Sequence, residues 1–153
     1  MSFERLFLLR QSNGLTQDEM GEILGVKRVA VSQWENTKEI IPLDKLNTYS
    51  NYFMVSLDYI TGLDDSKKEI KKIKLNRNII GKKLRLFRKE LNLTQEDLAN
   101  VLNTSHSTIS AYESGKTMLL TAFAFQICVK YGVSLDWICG KSDVMYIKHK
   151  SYI

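Results

Sequence analysis

The chain repeats itself once, and this repeat limits its possible folds more than any other feature of the sequence. A shift of 78 positions, without a gap, carries six residues onto identical ones: Thr16, Gln17, Leu24, Ser32, Glu35 and Lys38 onto Thr94, Gln95, Leu102, Ser110, Glu113 and Lys116. The same shift carries the segment VSLDYITG, residues 55–62, onto VSLDWICG, residues 133–140. A repeat of this length predicts two domains of about sixty residues each rather than one larger domain.

The composition favours an all-α fold for both domains. The chain has a single Pro and eight Gly, too few for the many turns of an all-β protein, and 44% hydrophobic residues, as in soluble globular proteins. The first residues, MSFERLFLLRQSNG, lack the basic segment and long apolar run of a signal peptide, and no membrane segment is evident. We therefore expect a cytoplasmic protein that does not contact a membrane.

The first repeat carries the start and stop signals of five helices. A capping residue or a Pro begins most of them, and Gly or Asn follows where the chain must turn. In chain order these residues are Ser2, Asn13 with Gly14, Thr16 with Glu19, Gly25, Pro42, Ser56 and Gly62. Apolar residues recur at helical spacing between them, so each helix is expected to bury one face.

The third predicted helix, roughly residues 28–36, has a polar face with no evident structural purpose. Val31 and Trp34 supply its buried side. The opposite side carries five residues: Arg28, Val29, Ser32, Gln33 and Asn36. Side chains of Arg, Ser, Gln and Asn have the donors and acceptors needed to read base edges, and a helix this short can enter the major groove. The pattern therefore predicts a helix that contacts double-stranded DNA.

Both repeats resemble the DNA-binding domains of the lambdoid phage repressor and Cro family, also called the XRE-type helix-turn-helix family. The resemblance covers about residues 3–63 and 81–141. It rests on a Gln that opens helix two, a small residue four positions later, Gly or Asn at the turn and a β-branched residue in helix three. These residues are Gln17, Gly21, Gly25 and Val31, then Gln95, Ala99, Asn103 and Ile109. The resemblance implies two tandem five-helix repressor-like helix-turn-helix domains.

The resemblance also implies which residues meet DNA. Gln17 and Asn36 would approach phosphates, and the residues facing bases would be Lys27, Arg28, Val29, Ser32 and Gln33. The corresponding residues of the second repeat are Gln95, Ser105, His106, Ser107, Ser110 and Ala111, and Lys38 and Lys116 complete the expected DNA-binding set. The second set lacks Arg and Gln on its base-facing side, so it should read sequence more weakly or read another half-site. His106 would be either a pH switch or a base or phosphate contact.

The same resemblance places an Arg of helix one beside the Glu that ends helix three. Arg10 with Glu35 and Arg88 with Glu113 are therefore expected to form two equivalent ion pairs. The family often has Gly two residues after this Glu; Gly115 keeps it, whereas Thr37 replaces it in the first repeat. This departure bears on the shape of the loop more than on the residues that face DNA.

The repeats leave a linker and a tail. We divide the chain into residues 1–63, the first domain; 64–79, a basic linker; 80–141, the second domain; and 142–153, the tail. Ser66 and Glu69 form a capping-box pattern, which predicts a short helix in the linker. The tail has no clear periodicity, so disorder and packing on a partner are both open.

Formal charge is distributed unevenly. Residues 1–65 carry −4, residues 66–79 carry +5 and residues 80–153 carry +4. A basic linker and a basic second domain suit a polyanionic partner, although charge of this kind is also found on ordinary solvated surfaces. The linker lysines are therefore either a solvated face or contacts to the DNA backbone.

The two predicted fourth helices differ on one side. Lys45, Asn47 and Asn51, expected at the surface, become Phe123, Phe125 and Val129 in the second repeat. The inward positions are already filled by Ala124, Ile127 and Tyr131, so the extra apolar residues form a second stripe. A soluble protein should cover such a stripe. We expect a contact between domains or, preferably, between two chains of a homodimer; the alternatives are a rotated helix or a tail folded over the stripe.

The function that fits best is a sequence-specific DNA-binding transcriptional regulator, a repressor of the phage or mobile-element kind that acts by occupying an operator. The alternative is a protein-interaction module, such as an antitoxin, built from the same domains. No enzyme is expected, because the sequence lacks G-x-S-x-G, H-E-x-x-H and P-loop motifs. Cys128 and Cys139 lack metal-ligand spacing and suit buried apolar positions, so we expect no metal, cofactor, disulfide or small-molecule ligand.

Overall fold

The computed structural model describes residues 3–68 and 70–148. The chain separates into two compact units, Met1–Lys72 and Ile73–Ile153. Within the described ranges the structure has ten α-helices and no strand, apart from one isolated bridge between Val133 and Tyr146. The predicted all-α class is confirmed. None of these helices is long and apolar enough to cross a membrane.

Each unit contains five of the helices in the same order. The first unit has α1 (Glu4–Ser12), α2 (Gln17–Leu24), α3 (Arg28–Glu35), α4 (Leu43–Phe53) and α5 (Leu57–Ile60). The second unit has α6 (Arg77–Glu90), α7 (Gln95–Val101), α8 (His106–Glu113), α9 (Thr121–Tyr131) and α10 (Leu135–Ile138). The helix α6 therefore starts earlier, relative to the repeat, than α1 does.

Side-chain caps begin several helices where the sequence predicts them. Ser56 accepts a hydrogen bond from the Tyr59 amide at the start of α5. Thr16 caps α2 by accepting a hydrogen bond from the Glu19 amide. The Glu19 carboxylate accepts from the Thr16 hydroxyl and not from the Thr16 amide. The capping box predicted for Thr16 and Glu19 is therefore only half formed. Pro42 is the N-cap of α4 rather than its first residue. The predicted cap at Ser2 lies outside the described residues.

The turns, like the helices, recur at equivalent positions in the two units. The described residues with positive φ form five pairs separated by 78 positions: Gly14 and Asn92, Gly25 and Asn103, Thr37 and Gly115, Met54 and Gly132, Gly62 and Gly140. Gly and Asn tolerate this left-handed region, whereas β-branched Thr does not. The predicted positive φ at Gly25 and Asn103 is confirmed, with values of 70° and 54°.

One residue from every helix lies at the centre of each hydrophobic core. In the first unit these residues are Leu6, Met20, Val31, Leu46 and Ile60, and in the second they are Leu84, Leu98, Ile109, Ala124 and Ile138. All ten are completely inaccessible to solvent. Cys128 and Cys139 lie in the second core with 1% of each residue exposed, which confirms their predicted burial. The repeated pattern therefore gives the two units the same core.

The predicted helix in the linker is wrong for the described residues, because 64–68 and 70–76 contain no helix. The side chain of Asp64 accepts hydrogen bonds from the Ser66 amide (2.9 Å) and hydroxyl (2.8 Å), which turns the chain locally. A turn of this kind offers the backbone an alternative to a helix.

The described part of the tail packs on its own unit. The Ser134 amide donates to the Met145 carbonyl at 2.8 Å, and the Ile147 amide donates to the Gly132 carbonyl at 2.9 Å. These hydrogen bonds tie the tail to the start of α10. The expectation of disorder is wrong for these residues, and packing of the tail on a partner stays a prediction.

The premise that Asn47 lies at the surface is also wrong. Its side chain belongs to the interior of the first unit, with only 4% of the residue exposed. Lys45 is half-buried as well, and its Nζ donates to the Leu24 carbonyl at the end of α2 at 2.9 Å. This side of α4 is therefore covered in the first unit.

Candidate nucleic-acid interface

The candidate site is built on α2, α3 and the turn between them. Gly25 ends α2 with φ of 70°, and Gly21 lets the following turn approach, because a Cβ there would collide with the carbonyl oxygen of Val26. Val31 and Trp34 fix α3 in the core, with 0% and 5% of each residue exposed. One side of α3 is thereby held in the interior and the opposite side is left to solvent.

The residues predicted to meet DNA in the first unit share one surface. Lys27, Arg28, Val29, Asn36 and Lys38 are exposed, and Gln17, Ser32 and Gln33 are half-exposed. Val29 is an apolar residue with 64% of its surface exposed. The structure therefore brings the predicted set together on the free side of α3 and at the adjoining end of α2.

A buried ion pair lies directly behind this surface. Arg10 Nε donates to Glu35 Oε1 at 2.5 Å and Arg10 Nη2 donates to Glu35 Oε2 at 3.0 Å. Only 11% of the Arg10 side chain and 4% of the Glu35 side chain are exposed. The hydrogen bond with Glu35 raises the pKa of Arg10 above its usual value. The charge of Arg10 is thus held at the junction of α1 and α3.

Gln17 connects this ion pair to the exposed face. Its Nε2 donates to Glu35 Oε2 at 3.0 Å, and its Oε1 accepts from Arg28 Nε at 3.4 Å. Only the Nε of the Arg28 guanidinium is engaged in this way. The two terminal nitrogens remain on the exposed side, and these are the pair that can match two acceptors on one base.

The second unit repeats the buried part of this arrangement. Arg88 Nε donates to Glu113 Oε2 at 2.7 Å, and Gln95 Nε2 donates to Glu113 Oε1 at 3.2 Å. The hydrogen bond with Glu113 raises the pKa of Arg88 above its usual value. His106 stands at the position of Arg28, and within the described chain it forms no hydrogen bond with Gln95. Both predicted ion pairs are therefore present, but the link to the exposed face exists only in the first unit.

The exposed face of α8 lacks the Arg and Gln side chains found on that of α3. Ser105 caps the helix by accepting from the Thr108 amide, and its hydroxyl also lies within hydrogen-bond distance of the hydroxyls of Ser107 and Thr108. His106 and Lys116 are exposed, and Ser110 and Ala111 are half-exposed. Ser105 thus caps the helix, and the base contact that the resemblance implies for it stays a prediction.

The apolar residues of α9 divide into two groups. Phe123 is half-buried and its ring lies edge-on to that of Tyr112, with centroids 6.2 Å apart, so it belongs to its own unit. Phe125 and Val129 line an open cleft of about 290 Å³ together with Val101, and 59% of Val129 is exposed. The predicted apolar stripe on α9 is therefore reduced to Phe125 and Val129.

Two features of the site were not predicted. The first is the bond from Gln17 to Glu35; the recurrence of Gln and Glu at the same separation in both repeats was the available signal. The second is the left-handed conformation of Thr37, with φ of 57°. Gly115 at the equivalent position was the signal for that conformation. No group of His, Cys, Asp and Glu in the described ranges is arranged to hold a metal ion.

Comparison with known proteins identifies a family and several relatives. The model of a family described as "Helix-turn-helix" matches residues 6–60 and 84–138. The chain is 35% identical over 65 residues to the HTH-type transcriptional regulator YobD of Bacillus subtilis, covering 42% of this chain and 58% of that protein. It is 38% identical over 55 residues to the HTH-type transcriptional activator BcrR of Enterococcus faecalis, covering 36% of this chain and 27% of that protein.

A third relative is the Antitoxin PezA of Streptococcus pneumoniae, which is 33% identical over 67 residues, covering 44% of this chain and 42% of that protein. In each of these three relatives the match spans less than two thirds of the protein's length. No solved structure matches the chain significantly.

Proposed function

Because the chain belongs to the helix-turn-helix family, we propose that it is a cytoplasmic, sequence-specific DNA-binding regulator of transcription. The observation that supports this most strongly is the free side of α3. It is polar, exposed and opposite a side held in the core by Val31 and Trp34. The names of two matched relatives, which call them transcriptional regulators or activators, support the same assignment.

In this proposal each residue type on α3 has a separate role. Arg28 reads a guanine with its two terminal nitrogens, Gln33 reads an adenine, and Val29 packs on a thymine methyl group. Lys27 and Ser32 adjoin these residues and face the same base pairs. Gln17, Asn36 and Lys38 contact phosphates and so fix the position of α3 in the major groove.

The second unit is proposed to contact DNA through its equivalent surface, with less sequence preference. The base-facing residues of the second unit are Ser105, His106, Ser107, Ser110 and Ala111, none of which has two hydrogen-bonding groups placed to match one base edge as Arg and Gln have. Gln95 and Lys116 would approach phosphates, as Gln17 and Lys38 do. The first unit would then choose the site, and the second would add affinity.

We propose further that the protein is a repressor of the phage or mobile-element type that acts by occupying an operator. Two chains would associate through Phe125 and Val129, because these residues and Val101 leave an apolar cleft open to solvent. Burial of an aromatic and a branched side chain contributes several kcal/mol at about 25 cal/mol per Å². A homodimer would present α3 twice, as a symmetric operator requires.

A second candidate function is that of an antitoxin, in which the helix-turn-helix units bind another protein. The match to Antitoxin PezA favours it. The polar free side of α3 favours DNA as the partner, since protein interfaces have cores depleted of charged residues.

The experiment that tests the proposed function compares two single variants in the full chain. Arg28→Ala removes a proposed base contact, and should cost about 1 to 3 kcal/mol on the preferred duplex while relaxing the preference at one base pair. Lys38→Ala removes a proposed phosphate contact and should weaken binding to all duplexes alike. Fluorescence anisotropy with a set of single-base-pair variants of the duplex measures both. A uniform loss from Arg28→Ala would contradict base reading by α3.

A further inference from the structure

The first unit has an open cleft beside the surface proposed to meet DNA. It has a volume of about 440 Å³ and lies where the starts of α1 and α2 meet the end of α3. Its lining residues are Phe3, Glu4, Phe7, Gln17, Glu35, Asn36 and Thr37. Glu4 and Phe7 of α1 therefore lie next to Gln17 and Asn36, which are proposed to contact phosphates.

The second unit keeps the ion pair and the Gln contact at this place, but α6 begins earlier than α1 relative to the repeat. The start of α6 packs tightly on the end of α8, because a Cβ at Gly81 would collide with the carbonyl oxygens of Tyr112 and Glu113. Arg77 Nη1 also donates to the Lys116 carbonyl, at 3.2 Å. The first turns of α6 thus border the loop that follows α8.

The residues that occupy this border are different in the second unit. Glu4 is replaced by Lys82 and Phe7 by Arg85, so an acidic and an apolar residue become two cations. Lys82 and Arg85 are separated by one helical turn and both are exposed. Neither forms an ion pair within the described residues, so both charges are available to a ligand.

The neighbouring lysine is placed differently. Lys83 lies on another side of α6, with its Nζ 4.7 Å from the centre of the Trp137 ring. It is half-buried, whereas Lys82 is exposed. Two consecutive lysines of one helix therefore have distinct environments, and Lys82 stands at the position of Glu4, which lines the cleft of the first unit.

We propose that Lys82 and Arg85 form a phosphate-binding edge through which the second unit holds the DNA backbone. The inference rests on the proposed function, and it adds DNA-backbone contacts from α6 to those proposed for Gln95 and Lys116. Phosphodiester groups are the ligand, because two solvent-exposed cations beside a helix-turn-helix surface suit a polyanion and carry no sequence information. The acidic Glu4 at the matching position excludes the same role for α1.

The test compares the wild-type chain with Lys82→Gln/Arg85→Gln, and uses Lys83→Gln as the matched control from the same helix. Binding is measured by anisotropy with two labelled duplexes of equal length, one carrying the wild-type preferred sequence and one of random sequence, between about 50 and 200 mM salt. The double variant should lower the magnitude of the slope of log K against log salt by about 2, and weaken both duplexes by on the order of tenfold. Lys83→Gln should change the slope by much less. Circular dichroism checks that each variant is folded.

Three outcomes are informative. If the double variant has the same slope as Lys83→Gln while the wild-type chain still prefers its sequence, the phosphate-binding edge is wrong and the proposed function stands. If the wild-type chain binds neither duplex, the proposed function fails and the edge fails with it. A conservative variant, Arg85→Lys, keeps the charge and should keep a slope close to that of the wild type.

Discussion

Gln17 is the residue that joins the interior of the first unit to its exposed face. It donates to the buried Glu35 carboxylate and accepts from Arg28. Glu35 is itself held by Arg10, so the orientation of Arg28 depends on a chain of three contacts that begins in the core. Such support matters because a side chain that reads bases must be held close to its productive geometry.

The ion pairs behind the two faces should be worth more than surface pairs. Arg10→Met leaves the Glu35 carboxylate buried, with 4% of its side chain exposed in the wild type and Gln17 as a remaining donor. We expect a loss of about 3 to 5 kcal/mol in the free energy of unfolding of the first unit, as for other buried pairs that lose one partner. Urea unfolding followed by circular dichroism measures it.

The matched control removes both charges. Arg10→Met/Glu35→Leu should recover part of the loss, because no unpaired carboxylate remains. Arg88→Met tests the equivalent pair in the second unit and should behave in the same way. A loss below about 1 kcal/mol for Arg10→Met would show that the pair behaves as an exposed one.

The sequence predicted the ion pairs but not every side-chain role. The resemblance to the repressor and Cro family places an Arg beside the Glu, and the recurrence of both residues in the two repeats supports their pairing. The capping role of Ser105 could not, because the residue at that position in the first repeat, Lys27, has no such capacity. The burial of Lys141, which replaces Leu63, could not be anticipated either. This burial lowers the pKa of Lys141 to about 8 despite the nearby Asp136.

The five pairs of turns with positive φ are as informative as the helices. The loop after α3 has φ of 57° at Thr37, and the loop after α8 has φ of 77° at Gly115. The backbone keeps this conformation whether or not the residue suits it. The tertiary packing around the loop, rather than local preference, therefore sets its shape.

Exchanging these two residues should have opposite effects on stability. Thr37→Gly should raise the free energy of unfolding of the first unit by about 1 kcal/mol, because a β-branched residue is strained in the left-handed region. Gly115→Thr should lower that of the second unit by more, since its Cβ would also collide with Asn78. Thermal unfolding of both variants checks the prediction. A destabilising Thr37→Gly would contradict the account of strain in this loop.

The linker shows where prediction from local patterns stops. Ser66 and Glu69 have the spacing of a capping box, but a helix of this length needs packing to be stable. Asp64 instead holds the segment through Ser66 and through Lys68, whose Nζ lies 2.6 Å from Asp64 Oδ2. Burial would raise the pKa of Asp64, but the hydrogen bonds from Lys68 and Ser66 lower it to about 2. The helices of the two units were predictable because each buries an apolar face.

At the scale of the whole molecule, the cleft on α9 predicts association of two chains. Phe125→Asn/Val129→Asn places the first unit's residues at these positions and should convert a dimer into single chains in analytical ultracentrifugation. Val144→Asn removes an apolar residue that is 60% exposed elsewhere on the same unit, and should leave the dimer intact. A wild-type chain that sediments as a monomer at micromolar concentration would exclude this interface.

We propose that α3 reads DNA sequence from a surface fixed by the core of the first unit. This is tested by selecting preferred duplexes from a random pool with the full wild-type chain. We expect one enriched motif, with its strongest preference for guanine at the position assigned to Arg28 and with two half-sites related by symmetry. A pool that remains random after selection would contradict the claim and favour a protein partner instead.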